Sequence, residues 1–277
     1  MPETPYTQFC NHLYQLTRDV RSFIVQDVST AVDRICKDNP DADPTQYRVR
    51  HYPFIRILKW LYTFEKLNET RDYQGVGAGA RAIFENYVDL RWLEKFPQDD
   101  SYQRFRAFPD VNRYMAADKV VSHKRKNPSS NLDATPHERF MKQMDASDPT
   151  ENLVVRLWGI NDKGKPSWPV HWTGVSSLRG RAERIGPDCE DAYVQIYPTL
   201  SALTHCGPTP EHGNLAWLEK QAAFGYFFAF KFALDAAILF AKLFDVHASI
   251  PHFDEKVAQL LRWTDEAFAQ IPNGCGI

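Results

Sequence analysis

The chain of 277 residues predicts an all-α protein, a helical bundle of roughly eight to ten helices without significant sheet. Two observations carry that expectation. Apolar side chains recur at spacings of three and four through most of the sequence, which gives each segment one face to bury. Proline, serine, threonine and aspartate stand where those segments start, and glycine or proline-rich stretches stand where they stop.

Residues 6–36 place Phe9, Leu13, Leu16, Val20, Phe23, Ile24, Val28, Val32 and Ile35 on one helical stripe, an N-terminal helix within residues 1–45. Asn39-Pro40-Asp41 ends it in a loop. Pro53 is then expected in a first helical turn, followed by an aromatic-rich helix over 54–67. Gly75, Gly77 and Gly79 precede the next helix, about 79–95. Without a Lys-Ser/Thr pair after them or a convincing strand before them they fit neither a Walker loop nor a dinucleotide fingerprint, so close helix packing is their expected use.

A helix over 99–123, bent at Pro109, ends in His123-Lys124-Arg125-Lys126, a basic cluster suited to a helix C-terminus. Thr135-Pro136-His137-Glu138 has the pattern of a capping box. Residues 126–172 are expected as an irregular insertion in a single domain spanning 1–277, with short helices near 135–144 and 153–158. Ser176 or Ser177 caps a short helix stopped by Gly186-Pro187, and Asp188 caps the next, which Pro198 is expected to interrupt. A loop at 206–214 leads to a long core helix over 215–246, and Pro251 opens the last helix.

Composition narrows the function classes. A net charge of −2 gives no global attraction to nucleic acid or anionic lipid, so any such binding must come from a local patch. Five scattered cysteines without CxxC spacing read as free thiols of a reducing cytosol, and the N-terminus has no signal-peptide pattern. The apolar run 222–244 is interrupted by Lys231, Asp235 and Lys242, which favours a buried helix over a membrane span. A cytoplasmic protein with no membrane partner is the expectation.

Two polar stripes stand out inside apolar helices. Tyr197, Ser201 and His205 are four residues apart, as are Arg81, Glu85 and Asp89, so each set shares one helical face. Together they suggest a buried polar constellation. In the catalytic reading, His205 acts as general base toward a ribose hydroxyl while an arginine stabilises the phosphorane-like charge. In the other, His205 and the Arg81–Glu85 pair fix helix register. A metal site of Glu85, His205 and His212 lacks any zinc-enzyme spacing, and a Ser201–His205 hydrolase pair lacks a nucleophile elbow. No metal and no cofactor is expected.

Arg81-Ala-Ile-Phe-Glu85, then Trp172-Thr-Gly174-Val-Ser176 leading to Arg179, then Tyr197-x-x-Leu200-Ser201-x-x-x-His205 follow one another in the order and spacing of a known family. Over roughly residues 45–245 the chain resembles a large, uncharacterised bacterial domain-of-unknown-function family of all-helical proteins. That build is similar to the HEPN superfamily, many of whose members are RNases, toxins or phage-defence components with an R-x4-6-H motif. The resemblance implies a nucleotide or RNA ligand at Arg81, Glu85, Tyr197, Ser201 and His205, with Arg179 and Trp172 contributing. The sequence departs from the motif, because the three positions that could hold its arginine are Pro198, Thr199 and Leu200. The alternative is a non-catalytic interaction module with a protein partner, or a homodimer built on the aromatic-rich last helices.

Overall fold

The computed structural model describes residues 5–38, 44–67, 72–97, 100–147, 149–205 and 215–269. The loops expected at 39–44 and 206–214, and with them His212, lie wholly or almost wholly outside the described residues. Over the described residues the chain is 83% helical and has no strand. It divides into two compact units, Met1–Lys95 with Ala182–Ile277, and Phe96–Arg181.

In the first unit α1 (Pro5–Ser22), a π-helical stretch (Phe23–Ser29) and α2 (Thr30–Asp38) run end to end, followed by α3 (Pro44–Leu67) and α4 (Tyr73–Lys95). After the excursion through the second unit come the end of α8 (Leu178–Ile185), then α9 (Pro187–His205), α10 (Leu215–Leu243) and α11 (Phe253–Ala269). Helix α4 is the centre, packed against α10, α3 and α9. Phe54, Phe84, Phe230, Phe240, Ile57, Leu61 and Leu234 are fully buried. The rings of Phe54 and Phe240 stack at 4.0 Å. Each such side chain taken from water contributes about 1.5–3 kcal/mol, the main force holding the helices together.

The glycines at the start of α4 let neighbouring backbones approach. A Cβ on Gly77 would stand 2.5 Å from the Cβ of Leu203 in α9, and one on Gly79 would enter the Phe64 ring of α3. Across α10, a Cβ on Gly225 would meet Val76 at 2.9 Å. The apolar stretch Gln221–Leu243 is long and apolar enough to cross a membrane, yet it is mostly buried inside the protein.

Two proline expectations are corrected. Helix α3 begins nine residues before Pro53, which lies inside it, and α9 continues through Pro198 to His205. Proline removes one intrahelical hydrogen bond, freeing the carbonyl four residues back. For Pro198 that residue is Val194, 55% exposed, so water can satisfy the carbonyl and the helix is not broken.

The second unit holds α5 (Ser101–Lys126), which runs through Pro109, α6 (Thr135–Ser147), α7 (Thr150–Trp158) and the start of α8. At the start of α6 the cap is Asp133, whose Oδ1 accepts the Thr135 N–H at 2.9 Å, rather than the Thr135 capping box. That bond lowers the Asp133 pKa. Ser177 caps α8, its Oγ accepting the Gly180 N–H at 3.0 Å. Between α7 and α8 the chain is irregular, apart from one isolated bridge between Ile160 and Pro166.

Candidate functional site

Arg81 and Glu85 sit one turn apart on α4, and the Arg81 Nε donates to Glu85 Oε1 at 2.9 Å. From α9, Tyr197 approaches the same carboxylate, its hydroxyl 3.5 Å from Oε1, at the long limit of a hydrogen bond. The Arg81 guanidinium lies over the Tyr197 ring at 5.0 Å, and Tyr193 stacks on that ring at 4.9 Å. Burial, then the nearby Glu85 charge, raises the Tyr197 pKa.

The structure thus joins Arg81, Glu85 and Tyr197, and places Ser201 one turn further along the same face of α9, half-buried. His205 is the last residue of α9, and its side chain lies outside the described residues. The constellation is not buried as expected: the Arg81 and Glu85 side chains are 27% and 37% exposed. Their stripe falls on the rim of α4, where ionised groups keep their water.

Trp172 and Arg179 belong to the other unit. Trp172 is buried there, edge-on to Phe105 at 5.1 Å, with its carbonyl accepting the Trp158 Nε1–H at 2.9 Å. Arg179 is exposed on α8. Beside Trp172, the buried Arg181 donates from Nη1 to His171 Nε2 at 2.6 Å. Nε2 is then the acceptor for the guanidinium, while Nδ1 faces the Thr173 hydroxyl at 3.1 Å and the Thr173 backbone N–H at 3.3 Å. Burial, then the Arg181 charge, holds the His171 pKa down at about 3. Gly174, at φ +79°, makes the turn that closes this loop.

A cavity of the first unit lies elsewhere, in a cleft of about 530 Å³ between α4, α9 and α10. Its apolar part is Tyr87, Phe228 and Phe232, with the Tyr87 and Phe232 rings 5.2 Å apart and Phe232 against Phe84 at 4.8 Å. Its polar part combines Arg91, Lys231 and Lys242 with Glu94, Asp188, Asp191 and Asp235. Arg91 pairs with Glu94 at 3.4 Å. Burial raises the pKa of Asp235, against the pull of Lys231 and Arg91, and burial followed by the Asp235 charge raises that of Tyr87. The buried thiol of Cys189 also lines it.

Sequence reasoning read Lys231, Asp235 and Lys242 as interruptions of an apolar run. The available signal was their spacing, since positions four and eleven residues on return to the same face of a helix. A phosphate entering the cleft would meet Arg91, Lys231 and Lys242. Among the described residues no group of three His, Cys, Asp or Glu side chains could hold a metal ion.

Comparison with known proteins adds a family. The model of a family of unknown function, DUF5677, matches residues 49–213, more than half of the chain, and the protein belongs to that family. No curated protein and no solved structure matches it.

Proposed function

We propose that this member of DUF5677 binds a small nucleotide-like molecule in the cleft between α4, α9 and α10. The observation that supports this reading is the meeting of three cations and four carboxylates with an aromatic wall in one cleft of about 530 Å³. That size lies within the range of small-ligand pockets, about 300–1,000 Å³. Arg91, Lys231 and Lys242 supply charge for a phosphate, and Phe228 with Phe232 supplies apolar surface for a planar base. Asp188, Asp191 and Asp235 are acceptors for hydroxyl or amino groups. The protein works in a reducing compartment, with Cys36 and Cys189 as free thiols.

The Arg81–Glu85–Tyr197 group has an architectural role in this reading, because none of the three lines the cleft and the Tyr197 ring of α9 lies against the Arg81 guanidinium of α4. It joins α4 to α9 and needs no ligand to be satisfied.

The test is calorimetric titration and thermal shift with nucleoside mono-, di- and triphosphates. One class should bind saturably and raise Tm, by an amount corresponding to about 2.7 kcal/mol when ligand is about a hundredfold above Kd. Arg91→Ala and Lys231→Ala should each weaken binding about tenfold or more, as loss of a charged hydrogen bond does. Arg81→Ala should bind as the parent does. Silence across the panel, or binding lost only in Arg81→Ala, refutes the assignment.

A further inference from the structure

The outward face of α3 has an unusual composition. Among the described side chains its exposed residues are Arg48, Tyr52, Arg56, Lys59, Tyr62 and Lys66. These positions stay within one stripe, spaced by four, four, three, three and four residues. The helix carries five arginines and lysines against a single carboxylate, Glu65. Glu65 is itself turned toward α1, where Arg21 pairs with it at 2.7 Å.

Helix α1 extends the same character. Arg18 and Tyr14 are exposed on it and lie together, the guanidinium 6.0 Å from the ring centre. The one carboxylate of α1, Asp19, accepts from Gln15 at 3.0 Å. In a chain whose net charge is −2, two adjacent helices therefore expose Arg18, Arg48, Arg56, Lys59 and Lys66 on a surface whose two acids are already engaged, while Arg21 is held by Glu65 and Arg50 turns inward to the Leu243 carbonyl.

The tyrosines are placed among the cations. Tyr52 is 55% and Tyr62 51% exposed, large values for aromatic side chains. Arg56 lies 5.7 Å from the centre of the Tyr52 ring, and Lys66 and Arg21 lie 5.3 and 5.6 Å from that of Tyr62. Each site offers a π-face beside a cation. The ten-residue step from Tyr52 to Tyr62 spans about 15 Å, and the stripe from Arg48 to Lys66 about 27 Å.

We propose that this face of α3, extended by α1, is a track for single-stranded nucleic acid. The cations neutralise successive phosphates, and Tyr52 and Tyr62 stack unpaired bases, the combination by which single strands are held without sequence readout. Phosphate alone would not need half-exposed rings, and a membrane surface would call for aliphatic side chains, of which α3 exposes none that is large. The track is independent of the cleft between α4, α9 and α10 and stands whether or not that cleft binds a nucleotide.

The experiment is fluorescence anisotropy of the full chain with labelled RNA and DNA single strands of about 12 nucleotides. A duplex of equal length and phosphatidylserine vesicles run in parallel, over a salt range of about 50 to 200 mM. Single strands should bind, with log K falling linearly against log salt. Replacing Arg56 and Lys59 together by alanine should reduce that slope by about 1.4, two phosphate contacts at about 0.7 each. Tyr52→Ala and Tyr62→Ala should each weaken binding about tenfold with little change of slope. All four side chains are on the surface, and unchanged helical circular dichroism verifies the fold of each variant. Four outcomes overturn the track: no binding at low salt, equal affinity for the duplex with no effect of the tyrosines, binding to vesicles only, or binding abolished by Arg91→Ala but not by the α3 variants.

Discussion

Replacing Gly77 by alanine tests the seam that positions both the polar cluster and the cleft. In an ordinary helix interior this substitution is favourable by about 1 kcal/mol, because alanine loses less backbone entropy. Here the new methyl would stand 2.5 Å from the Leu203 Cβ and 3.4 Å from the Leu203 and Thr204 backbone. No rotamer change can relieve a clash between two Cβ atoms, so α4 and α9 must separate by about an ångström. Overpacking costs about 1–3 kcal/mol, and a contact between two Cβ atoms that no rotamer relieves belongs to the upper part of that range, about 2–3 kcal/mol. Set against the helix gain, the net loss is about 1–2 kcal/mol, a fall of about 2–8 °C in Tm for a unit of this size. Urea unfolding followed by circular dichroism measures it, with an unchanged m-value showing that the same surface unfolds. Leu203→Ala added to Gly77→Ala should bring no rescue, since alanine keeps the offending Cβ. A Gly77→Ala protein as stable as the parent, or more stable, would refute the close-approach argument and the packing assigned to α4 and α9.

That seam also explains how much of the site could be read from the sequence. The i,i+4 spacing put Arg81 beside Glu85, and Tyr197 in register with Ser201, because those relations are local to one helix. Whether the two stripes meet depends on how near the α9 backbone comes to α4, which Gly77 permits opposite Leu203. The glycines were legible as packing residues, but not their partners. Burial was misjudged for a similar reason. A polar stripe on a mostly apolar helix can face a sealed interior or the rim of the unit, and only the neighbours of α4 decide that Arg81 and Glu85 keep contact with water.

The helical architecture was the more legible part, since 3.6-residue periodicity reports directly which face of each segment leaves water. Prolines were weaker guides: Pro53 and Pro198 were read as boundaries, whereas burial of the flanking apolar faces outweighs one missing hydrogen bond in each helix. The cleft was hidden because its lining combines α4 with two helices far from it in sequence, α9 and α10. By contrast, the basic and aromatic stripe of α3 lies wholly within one helix. It was open to the same periodicity argument applied to charged residues rather than apolar ones.

Two further predictions turn on protonation. Burial raises the pKa of Asp235, so the folded protein holds that proton more tightly than the unfolded chain. The group therefore weakens folding as pH rises from the ordinary carboxylate range through its raised value, and Asp235→Asn should gain stability over the parent across that window and match it below. Urea midpoints of the pair measured from acid to neutral pH decide this, and parallel curves would refute it. His171 behaves in the opposite sense, because its folded pKa of about 3 lies below its unfolded value of about 6.5. Its contribution to stability is complete above that unfolded value and is lost progressively as pH falls toward 3, since unfolding then takes up a proton that the Arg181 contact forbids in the fold. The imidazole signals of His171 should stay in the neutral form from pH 8 down to about 5, assigned by comparison with His171→Gln. A midpoint near 6.5 would mean that the ring is neither buried nor held by Arg181, and the arrangement of the Trp172 loop would have to be redrawn.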